Sequence, residues 1–315
     1  MRVLISGGTG MIGRELAVSL LADAHSVWVL TRRPGSAQMP PGAQAVGWDG
    51  HTTKGWGDLM NRIDAVVNLV GERLSVWPWT PARKARFWTS RVEGGRAISE
   101  AIEQAAHRPQ VLVQASGVNY YAPRGLETMS ESDPAGEDEM AQLCQDWEAS
   151  TRSVESLGVR RAIARSAIVL SRVDGILPIM MLPVRLYLGG PLGDGLQGLP
   201  WIHIQDEVAA LRFLLENEQG LGPFNLSAPQ SVSNADFLRT LAKVMRRPYW
   251  FPVPEFALRL VLGGMSALVL ADEHLRPRRL LGLGFTFKFN NLEDALRDLL
   301  TPGLVAGDRK GLIGS

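Results

Sequence analysis

Short apolar runs alternate with helical stretches over the first 170 residues of the chain. Apolar runs bounded by turn residues are typical of buried strands, whereas repeats at i and i+4 are typical of amphipathic helices. Six runs have the character of strands: Val3–Ile5 and residues 25–30, 43–46, 65–69, 111–115 and 162–170. Helical stretches begin near Ile12, Thr80 and Asp138. This alternation predicts an α/β fold, a Rossmann-type doubly wound parallel sheet whose ligands bind beyond the carboxyl ends of its strands.

The chain changes character after Leu170, where proline and glycine become frequent, notably between Gly189 and Gly195. A helix near residues 206–216 and a strand at 224–227 then predict a return to the sheet, and further helices follow from about residue 231. We therefore predict a Rossmann domain of residues 1–170 plus 203–228 and a smaller substrate domain of residues 171–202 plus 229–302. The glycine-rich residues 303–315 are predicted to form a mobile tail.

A glycine motif joins the first predicted strand to the first predicted helix. Gly7 allows a tight turn, Gly10 allows backbone N–H groups to approach a pyrophosphate, and Gly13 allows the helix to pack on the sheet. The helix N-terminus then presents unpaired N–H groups and its positive dipole end to the anion. The residues expected at the cofactor are Gly7, Thr9, Gly10, Met11, Ile12 and Gly13. The alternative is a tight strand-to-helix turn with no ligand.

The residues that end the second predicted strand indicate which dinucleotide binds. An NAD-selective protein places Asp or Glu there to hold the ribose 2′-hydroxyl, whereas this chain has Thr31, Arg32 and Arg33. A guanidinium can pair bidentately with a 2′-phosphate. The sequence therefore favours NADP(H), and the alternative is that these arginines are a solvated strand end.

Composition excludes several classes of protein. The chain has 315 residues, 45% of them hydrophobic and 21% charged, with a formal net charge of +1. Such a balance is ordinary for a globular protein and argues against nucleic acid as a partner. Cys144 is the single cysteine, so an internal disulfide is excluded. Without a presequence before the first strand, or an uninterrupted apolar stretch of about 20 residues, we expect a cytoplasmic protein that does not bind membranes.

Several segments together resemble the extended short-chain dehydrogenase/reductase superfamily. More narrowly, they resemble its atypical "epimerase family" branch of nucleoside-diphosphate-sugar epimerase-like proteins. The segments that carry the resemblance are residues 7–13, 68–72, Ser90-Arg91, Tyr120-Tyr121, Trp147-Glu148, 189–191, 201–204 and 251–300. The resemblance implies that Leu69, Val70 and Gly71 lie along the cofactor. It also implies that Arg91 reaches the cofactor phosphates, the alternative being a solvent-facing helix arginine.

The family's chemistry uses a Ser or Thr after the fifth strand and a Tyr-x-x-x-Lys pair, in which the lysine cation lowers the phenol pKa. Ser116 stands in the first place, but the pair is missing. Alignment by resemblance puts Cys144 at the tyrosine position and Glu148 at the lysine position, which reverses the sign of the charge. We read Cys144 as a core residue. Our hypothesis is that Tyr121 or Tyr120 transfers the proton while Ser116 binds the substrate oxygen; the alternative is that both tyrosines form a lid over the cofactor.

Three other features suggest chemistry but favour structural roles. Asp49 could accept from the adenine amino group, although Trp48-Asp49-Gly50 is also typical of a turn. His203 lies where the chain re-enters the sheet, so a structural hydrogen bond is favoured over catalysis. No pair of histidines has metal-ligand spacing. The aromatic and basic segment 73–91 favours a helix that covers the cofactor over a nucleic-acid surface.

The sequence thus predicts an NADP(H)-dependent oxidoreductase or epimerase acting on a small polar substrate, for which a sugar nucleotide is a candidate. The alternative is a non-catalytic NADP(H)-binding protein that senses redox state or regulates a partner. The absent Tyr-x-x-x-Lys pair favours the alternative, whereas Ser116 and the two adjacent phenols favour the enzyme. The substrate and the oligomeric state stay open.

Overall fold

A computed structural model describes residues 1–35, 38–122, 125 and 127–301 of the chain. Seven of its strands form one parallel sheet in the order β3-β2-β1-β4-β5-β6-β9, and β7 and β8 form a separate parallel pair. This order confirms the predicted doubly wound sheet. The strands are β1 Arg2–Ser6, β2 Ser26–Thr31, β3 Gln44–Gly47, β4 Ala65–Asn68, β5 Val111–Gly117, β6 Arg160–Ser166, β7 Ile168–Leu170, β8 Trp201–His203 and β9 Gly222–Leu226.

Helices cover both faces of the large sheet. The helices of the described residues are α1 Met11–Ala22, α2 Pro81–Gln104, α3 Glu139–Ala149, α4 Leu177–Arg185, α5 Ile204–Glu216, α6 Asn234–Val244, α7 Glu255–Leu262, α8 Ser266–Val269, α9 Arg278–Gly282 and α10 Leu292–Leu300. One apolar layer holds α1 and α5, and another holds α2 with the turn of residues 152–157. Helix α3 packs against α2 and β5. None of these helices combines the length and the apolar character that a membrane crossing requires.

Side-chain caps fix where several helices begin. Thr80 accepts from the N–H of Arg83 before α2, Asp138 accepts from two N–H groups of α3, and His203 accepts from the N–H of Gln205 in α5. Such caps satisfy backbone donors that have no partner within the helix. Helix α1 differs, because Gly10 at its start offers no side chain and its first turn has no acidic residue.

The strand order reverses on either side of β1, which pairs with both β2 and β4. A buried polar row crosses the sheet near this point: the Ser6 hydroxyl donates to Asn68 Oδ1, and Asn68 Nδ2 donates to Gln114 Oε1 at 2.8 Å. In doubly wound folds, dinucleotides bind in the crevice at this reversal. The topology therefore places a binding crevice beyond the carboxyl ends of β1 and β4.

The predicted single strand at residues 162–170 is two strands that belong to different sheets. The Ala167 N–H donates to Leu226 in β9 at 2.9 Å, whereas the next N–H, that of Ile168, donates to Pro200 at 3.2 Å beside β8. The apolar residues on both sides of Ala167 carry no signal for such a change of partner, because both strands are largely buried.

A second apolar cluster lies outside the large sheet and packs α4, α6 and α10 together. It includes Trp201, Phe237 and Leu296, each almost fully buried. The division of the chain into two domains stays a prediction. The predicted mobile tail, residues 303–315, lies outside the described residues.

Candidate functional site

The loop from Gly7 to Gly13 forms an open cradle at the N-terminus of α1. Gly7 has a φ of +70°, and a Cβ on it would lie 2.6 Å from the Leu69 carbonyl oxygen. A Cβ on Gly13 would lie 2.5 Å from the Cα of Gly8, so the helix packs tightly onto the loop. At Gly10 an added Cβ would meet only the Gly7 carbonyl oxygen, at 3.3 Å. The space in front of Gly10 and the uncapped helix end therefore suit an anion such as a pyrophosphate.

The other motif residues surround this cradle. Thr9 is exposed, and Met11 and Ile12 are partly buried. The Met11 thioether sulfur would lie 3.5 Å from a Cβ on Gly175, in the loop before α4. The loop before α4 thus closes one side of the cradle.

The end of β2 carries two exposed cations. Thr31 is buried and its hydroxyl accepts from the Arg33 N–H at 3.3 Å, while the side chains of Arg32 and Arg33 are exposed. Asp49, beyond β3, accepts from the N–H groups of His51 and Thr52 at 2.9 and 2.8 Å. Although burial raises its pKa, these hydrogen bonds and that of the Thr52 hydroxyl lower it to about 2. The Asp49 carboxylate therefore closes a turn, which is the structural alternative to a contact with the adenine amino group.

Arg91 lies under the loop that follows β4. Its side chain is only 7% exposed, its Nη1 donates to the Phe87 carbonyl oxygen at 3.2 Å, and its guanidinium lies 4.8 Å from the Trp147 ring centroid. A Cβ on Gly71 would lie 2.9 Å from Arg91 Cζ, so a larger residue there would displace the guanidinium. Burial lowers the pKa of Arg91 to about 10. Arg91 is thus a buried cation next to the Leu69-Val70-Gly71 loop and not a solvent-facing helix arginine.

A chain of hydrogen bonds links the ends of β5, α3, β6 and β9. The Ser116 hydroxyl donates to Glu148 Oε1 at 2.8 Å, and Arg165 donates to both Glu148 oxygens at 2.8 and 2.9 Å. Arg165 Nη1 also donates to the Tyr121 hydroxyl at 2.9 Å, which in turn donates to Asn225 Oδ1 at 2.7 Å. Ser116 and Tyr121 therefore belong to one buried network, although they do not bond to each other.

Arg165 is the residue that sequence reasoning missed in this network. Its positive charge balances the negative charge of Glu148. The sequence alone does not explain why a carboxylate stands at the position where the resemblance implies a lysine. Glu148 on α3 and Arg165 on β6 lie 17 residues apart in the chain, and both are buried. An arginine inside the apolar run 162–170 is a signal that could have found it, because a buried arginine requires a paired carboxylate.

The two tyrosines contact Arg165 in different ways, Tyr121 through its hydroxyl and Tyr120 through its ring. Tyr121 is 1% exposed, and burial raises its pKa to about 12 although the Arg165 charge opposes the shift. The Tyr120 ring centroid lies 3.4 Å from Arg165 Cζ, a cation–π contact. The structure thus brings Ser116, Tyr120 and Tyr121 to the same arginine–carboxylate pair. Their catalytic roles stay predictions.

Cys144 and His203 have partners that fit structural roles. Cys144 is buried in α3, and burial, with the charge of Glu148, raises the pKa of its thiol to about 12. His203 caps α5, stacks on Phe289 at 3.9 Å between centroids, and has a pKa lowered by burial to about 4. In the described part of the chain, no three or more His, Cys, Asp or Glu side chains come together as a metal site.

A buried carboxylate from the C-terminal part of the chain also reaches the end of β5. The Asn119 amide donates to Glu273 Oε1 at 2.9 Å, and Glu273 is 5% exposed. Burial raises the pKa of Glu273 to about 7. Sequence reasoning missed Glu273 because its partner lies far away in the chain and no motif surrounds it.

The aromatic and basic segment 73–91 uses most of its polar groups internally. The Trp79 indole donates to the Leu74 carbonyl oxygen at 2.9 Å, and the Trp88 indole donates to Asp146 Oδ2 at 3.0 Å. Lys84 pairs with Glu139 at 2.5 Å. Arg73 pairs bidentately with Asp174, at 3.1 and 2.8 Å, and so joins this segment to the loop before α4. These contacts suit a cover over the crevice.

Known proteins resemble the chain over nearly its full length. Residues 3–227 match the model of the NAD dependent epimerase/dehydratase family, and residues 253–299 match that of a domain of unknown function. An epimerase family protein of Staphylococcus haemolyticus is 38% identical over 298 residues, which cover 94% of this chain and 98% of that protein.

Two solved structures are also similar. The crystal structure of human epimerase family protein SDR39U1 (isoform 2) with NADPH has 33% identity and a TM-score of 0.84, and the match covers 95% of this chain and 99% of the human chain. The nucleoside-diphosphate sugar epimerase from Corynebacterium glutamicum has 28% identity and a TM-score of 0.77. That match covers 95% of this chain and 58% of the Corynebacterium chain.

Proposed function

Because the chain belongs to the NAD dependent epimerase/dehydratase family, we propose that it is an NADP(H)-dependent oxidoreductase or epimerase that acts on a small polar substrate. A sugar nucleotide is the substrate class that the C. glutamicum relative suggests. A cytoplasmic location remains our prediction.

The observation that carries this proposal is the open cradle in front of Gly10. A Cβ there would approach only the Gly7 carbonyl oxygen, and the N-terminus of α1 has no capping side chain. The exposed Arg32 at the end of β2 favours a cofactor with a 2′-phosphate, because an NAD-selective protein carries a carboxylate at this point of the chain. The human relative, 33% identical, was solved with NADPH. Bound NADP(H) would supply or accept the hydride.

Three loops of the chain would share the binding of the cofactor. We assign the pyrophosphate to Gly7, Thr9, Gly10, Met11, Ile12 and Gly13. Thr31 and Arg32 would hold the phosphorylated ribose, with the guanidinium as the charged partner. Leu69, Val70 and Gly71 would line the nicotinamide half, with Arg91 adding positive charge beneath them.

The substrate would lie beyond the carboxyl end of β5, where Ser116, Tyr120 and Tyr121 meet. In this hypothesis Ser116 orients a substrate oxygen and Tyr121 transfers the proton. Each hydroxyl already donates to a neighbour, Ser116 to Glu148 and Tyr121 to Asn225, so a substrate would have to displace those acceptors. If the hypothesis holds, Ser116→Ala and Tyr121→Phe each lower turnover about 10²-fold or more; unchanged turnover in both would remove these roles.

The test of cofactor binding compares wild-type protein with Gly10→Val. We expect NADPH fluorescence to titrate with the wild type, and a side chain at Gly10 to abolish the titration while thermal unfolding changes little. NADPH oxidation is then followed with a panel of sugar nucleotides, aldehydes and ketones. Equal binding by Gly10→Val would refute the cradle assignment.

A second candidate function is a non-catalytic NADP(H)-binding sensor. The observation in its favour is the buried Glu148–Arg165 pair, in which Glu148 stands, by resemblance, at the position expected for the family's lysine. NADPH binding without oxidation by any panel member would favour this candidate. Steady oxidation that is absent from Gly10→Val would exclude it.

A further inference from the structure

The segment of residues 272–276 brings a carboxyl group to the end of β5 and is anchored on both sides. The Gly198 N–H donates to Asp272 Oδ1 at 2.7 Å, and the Glu273 N–H donates to the Gly198 carbonyl oxygen at 3.2 Å. The Met129 N–H donates to the His274 carbonyl oxygen at 2.7 Å. The backbone of Glu273 is therefore held by hydrogen bonds of its own residue and of both neighbours. Its side chain is directed by the fold and not by local sequence.

The Glu273 carboxyl is linked through Asn119 to the surroundings of the position that the family's tyrosine would occupy. Cys144 stands at that position by resemblance, and a Cβ on Gly117 would lie 3.7 Å from its sulfur and 3.9 Å from Asn119 Oδ1. The amide of the same Asn119 donates to Glu273 Oε1 at 2.9 Å. Gly117, Cys144, Asn119 and Glu273 thus converge at the reactive edge of the sheet. Among the described residues, Asn119 is the side chain that donates to the Glu273 carboxyl.

Two of the three hydroxyls predicted to act at this edge already donate to a neighbour, and the third, that of Tyr120, belongs to a half-buried side chain whose ring lies on Arg165. The Tyr121 hydroxyl donates to Asn225, and the Ser116 hydroxyl donates to Glu148. Glu148 is held by Arg165 through both oxygens, which stabilises its ionised form. Burial keeps the Cys144 thiol protonated, with a pKa of about 12. Glu273 has one hydrogen bond and no paired cation at its carboxyl among the described residues.

The charges around Glu273 suit a group that both gives and takes a proton. Burial is the main cause that raises its pKa, to about 7, and the nearby carboxylates of Asp138 and Asp272 raise it further, while the Asn119 amide lowers it. After burial and the charge of Glu148, the negative charge of Glu273 is one of the causes that raise the pKa of the Cys144 thiol, on α3. His274 lies next to it and pairs with Asp272 at 3.3 Å. A general acid or base is most effective when its pKa lies close to the working pH.

We propose that Glu273, in place of Tyr121, is the proton-transfer residue of the reaction and that Asn119 is its positioning residue. The proposal rests on the proposed oxidoreductase function. In the reductive direction the substrate's carbonyl carbon gains a hydride from the reduced cofactor, and the carbonyl oxygen takes the proton of the Glu273 carboxyl. The products are an alcohol, the oxidised cofactor and a Glu273 carboxylate, which regains its proton from water. The oxidative direction reverses each transfer.

The first test needs no substrate, because it follows the carboxyl group itself in the full-length protein. Infrared spectra of wild type, Glu273→Gln and Glu207→Gln are recorded between pH 5 and 10. Glu207 is a matched control: it is fully buried, accepts from the Ser166 hydroxyl at 2.6 Å, and has a pKa raised by burial to about 8. We expect a carboxylic acid band that Glu273→Gln alone lacks and that disappears with a midpoint near pH 7. A Glu273 that is ionised throughout this range would overturn the proposal.

The second test measures turnover with NADPH and each carbonyl compound that the wild type reduces. We expect Glu273→Gln to lose about 10²-fold or more in kcat while its Kd for NADPH stays unchanged, and Glu207→Gln to stay within a few-fold of wild type. Asn119→Ala, which removes the donor that stabilises the carboxylate, is expected to move the pH profile of kcat to higher pH. Glu273→Asp retains the acid and is expected to retain more activity than Glu273→Gln.

These outcomes separate the two proposals. An active wild type with an equally active Glu273→Gln refutes the role of Glu273 and leaves the oxidoreductase function standing. A wild type that binds NADPH but neither reduces nor epimerises any panel member refutes the proposed function, and the proton-transfer role falls with it. Unchanged NADPH binding by Glu273→Gln shows that the variant is folded.

Discussion

Arg165 binds both carboxylate oxygens of Glu148, with Nε at 2.8 Å from Oε1 and Nη2 at 2.9 Å from Oε2. Both side chains are buried, so each charge depends on the other for the solvation it lost on folding. Glu148 stands where the related enzymes are expected to carry a lysine. The two opposite charges make a neutral unit that also binds the hydroxyls of Ser116 and Tyr121.

Removing one partner of this pair is expected to destabilise the fold strongly. Arg165→Met leaves the Glu148 charge buried without compensation, which should lower the free energy of unfolding by about 3–5 kcal/mol. Urea denaturation measures the change. The double variant Arg165→Met/Glu148→Leu should recover much of the loss, because no unpaired charge remains. A single variant as stable as wild type would show that the pair is solvated.

Arg32 is expected to set the preference for NADP(H). Arg32→Ala removes the guanidinium that would pair with the 2′-phosphate, so NADPH binding should weaken about tenfold or more. NADH lacks that phosphate, and its affinity should change little. Fluorescence titration of both nucleotides tests this, with Arg33→Ala as the neighbouring control. Equal weakening of NADPH and NADH by Arg32→Ala would argue against a 2′-phosphate contact.

Two glycines of the cradle are expected to respond differently to substitution. Gly7→Ala places a Cβ 2.6 Å from the Leu69 carbonyl oxygen in a backbone conformation with φ of +70°, so thermal stability should fall clearly. Gly10→Ala meets only the Gly7 carbonyl oxygen at 3.3 Å, so stability should change by less than about 1 kcal/mol while NADPH binding weakens. Calorimetry and NADPH titration separate the two effects. Equal stability of both variants would contradict the packing of Gly7 against Leu69.

His203 is expected to make stability depend on pH between about 4 and 6.5. Burial lowers its pKa in the folded protein from 6.5 to about 4, so in this window the unfolded chain binds more protons. The free energy of unfolding is therefore highest, as far as His203 is concerned, above pH 6.5, and it decreases as pH falls towards 4. The decrease amounts to at most about 3 kcal/mol.

His203→Asn provides the matched variant for this pH effect, since asparagine can cap α5 without titrating. The difference in unfolding free energy between the two proteins should therefore shrink or reverse as pH falls through the window. A constant difference would show that His203 does not titrate on unfolding.

Local features of the chain were readable from sequence. The apolar alternation predicted the doubly wound sheet, because burial on both faces leaves continuous apolar runs whatever the rest of the chain does. Gly7 to Gly13 predicted the strand-to-helix loop, since a positive φ and close packing impose glycine locally. The resemblance to the epimerase branch is likewise confirmed, by the family model and by relatives such as that of S. haemolyticus.

Relationships between distant residues were decided by the tertiary structure alone. Nothing near Glu148 indicates that Arg165 neutralises it, and nothing near Asn119 indicates Glu273, 154 residues away in the chain. The change of sheet at Ala167 depends on Leu226 and Pro200, which lie far along the chain. The sequence determined the cradle and the layers because backbone conformation and apolar periodicity are local. The tertiary structure decided which charges meet, because burial brings together groups that sequence spacing does not relate.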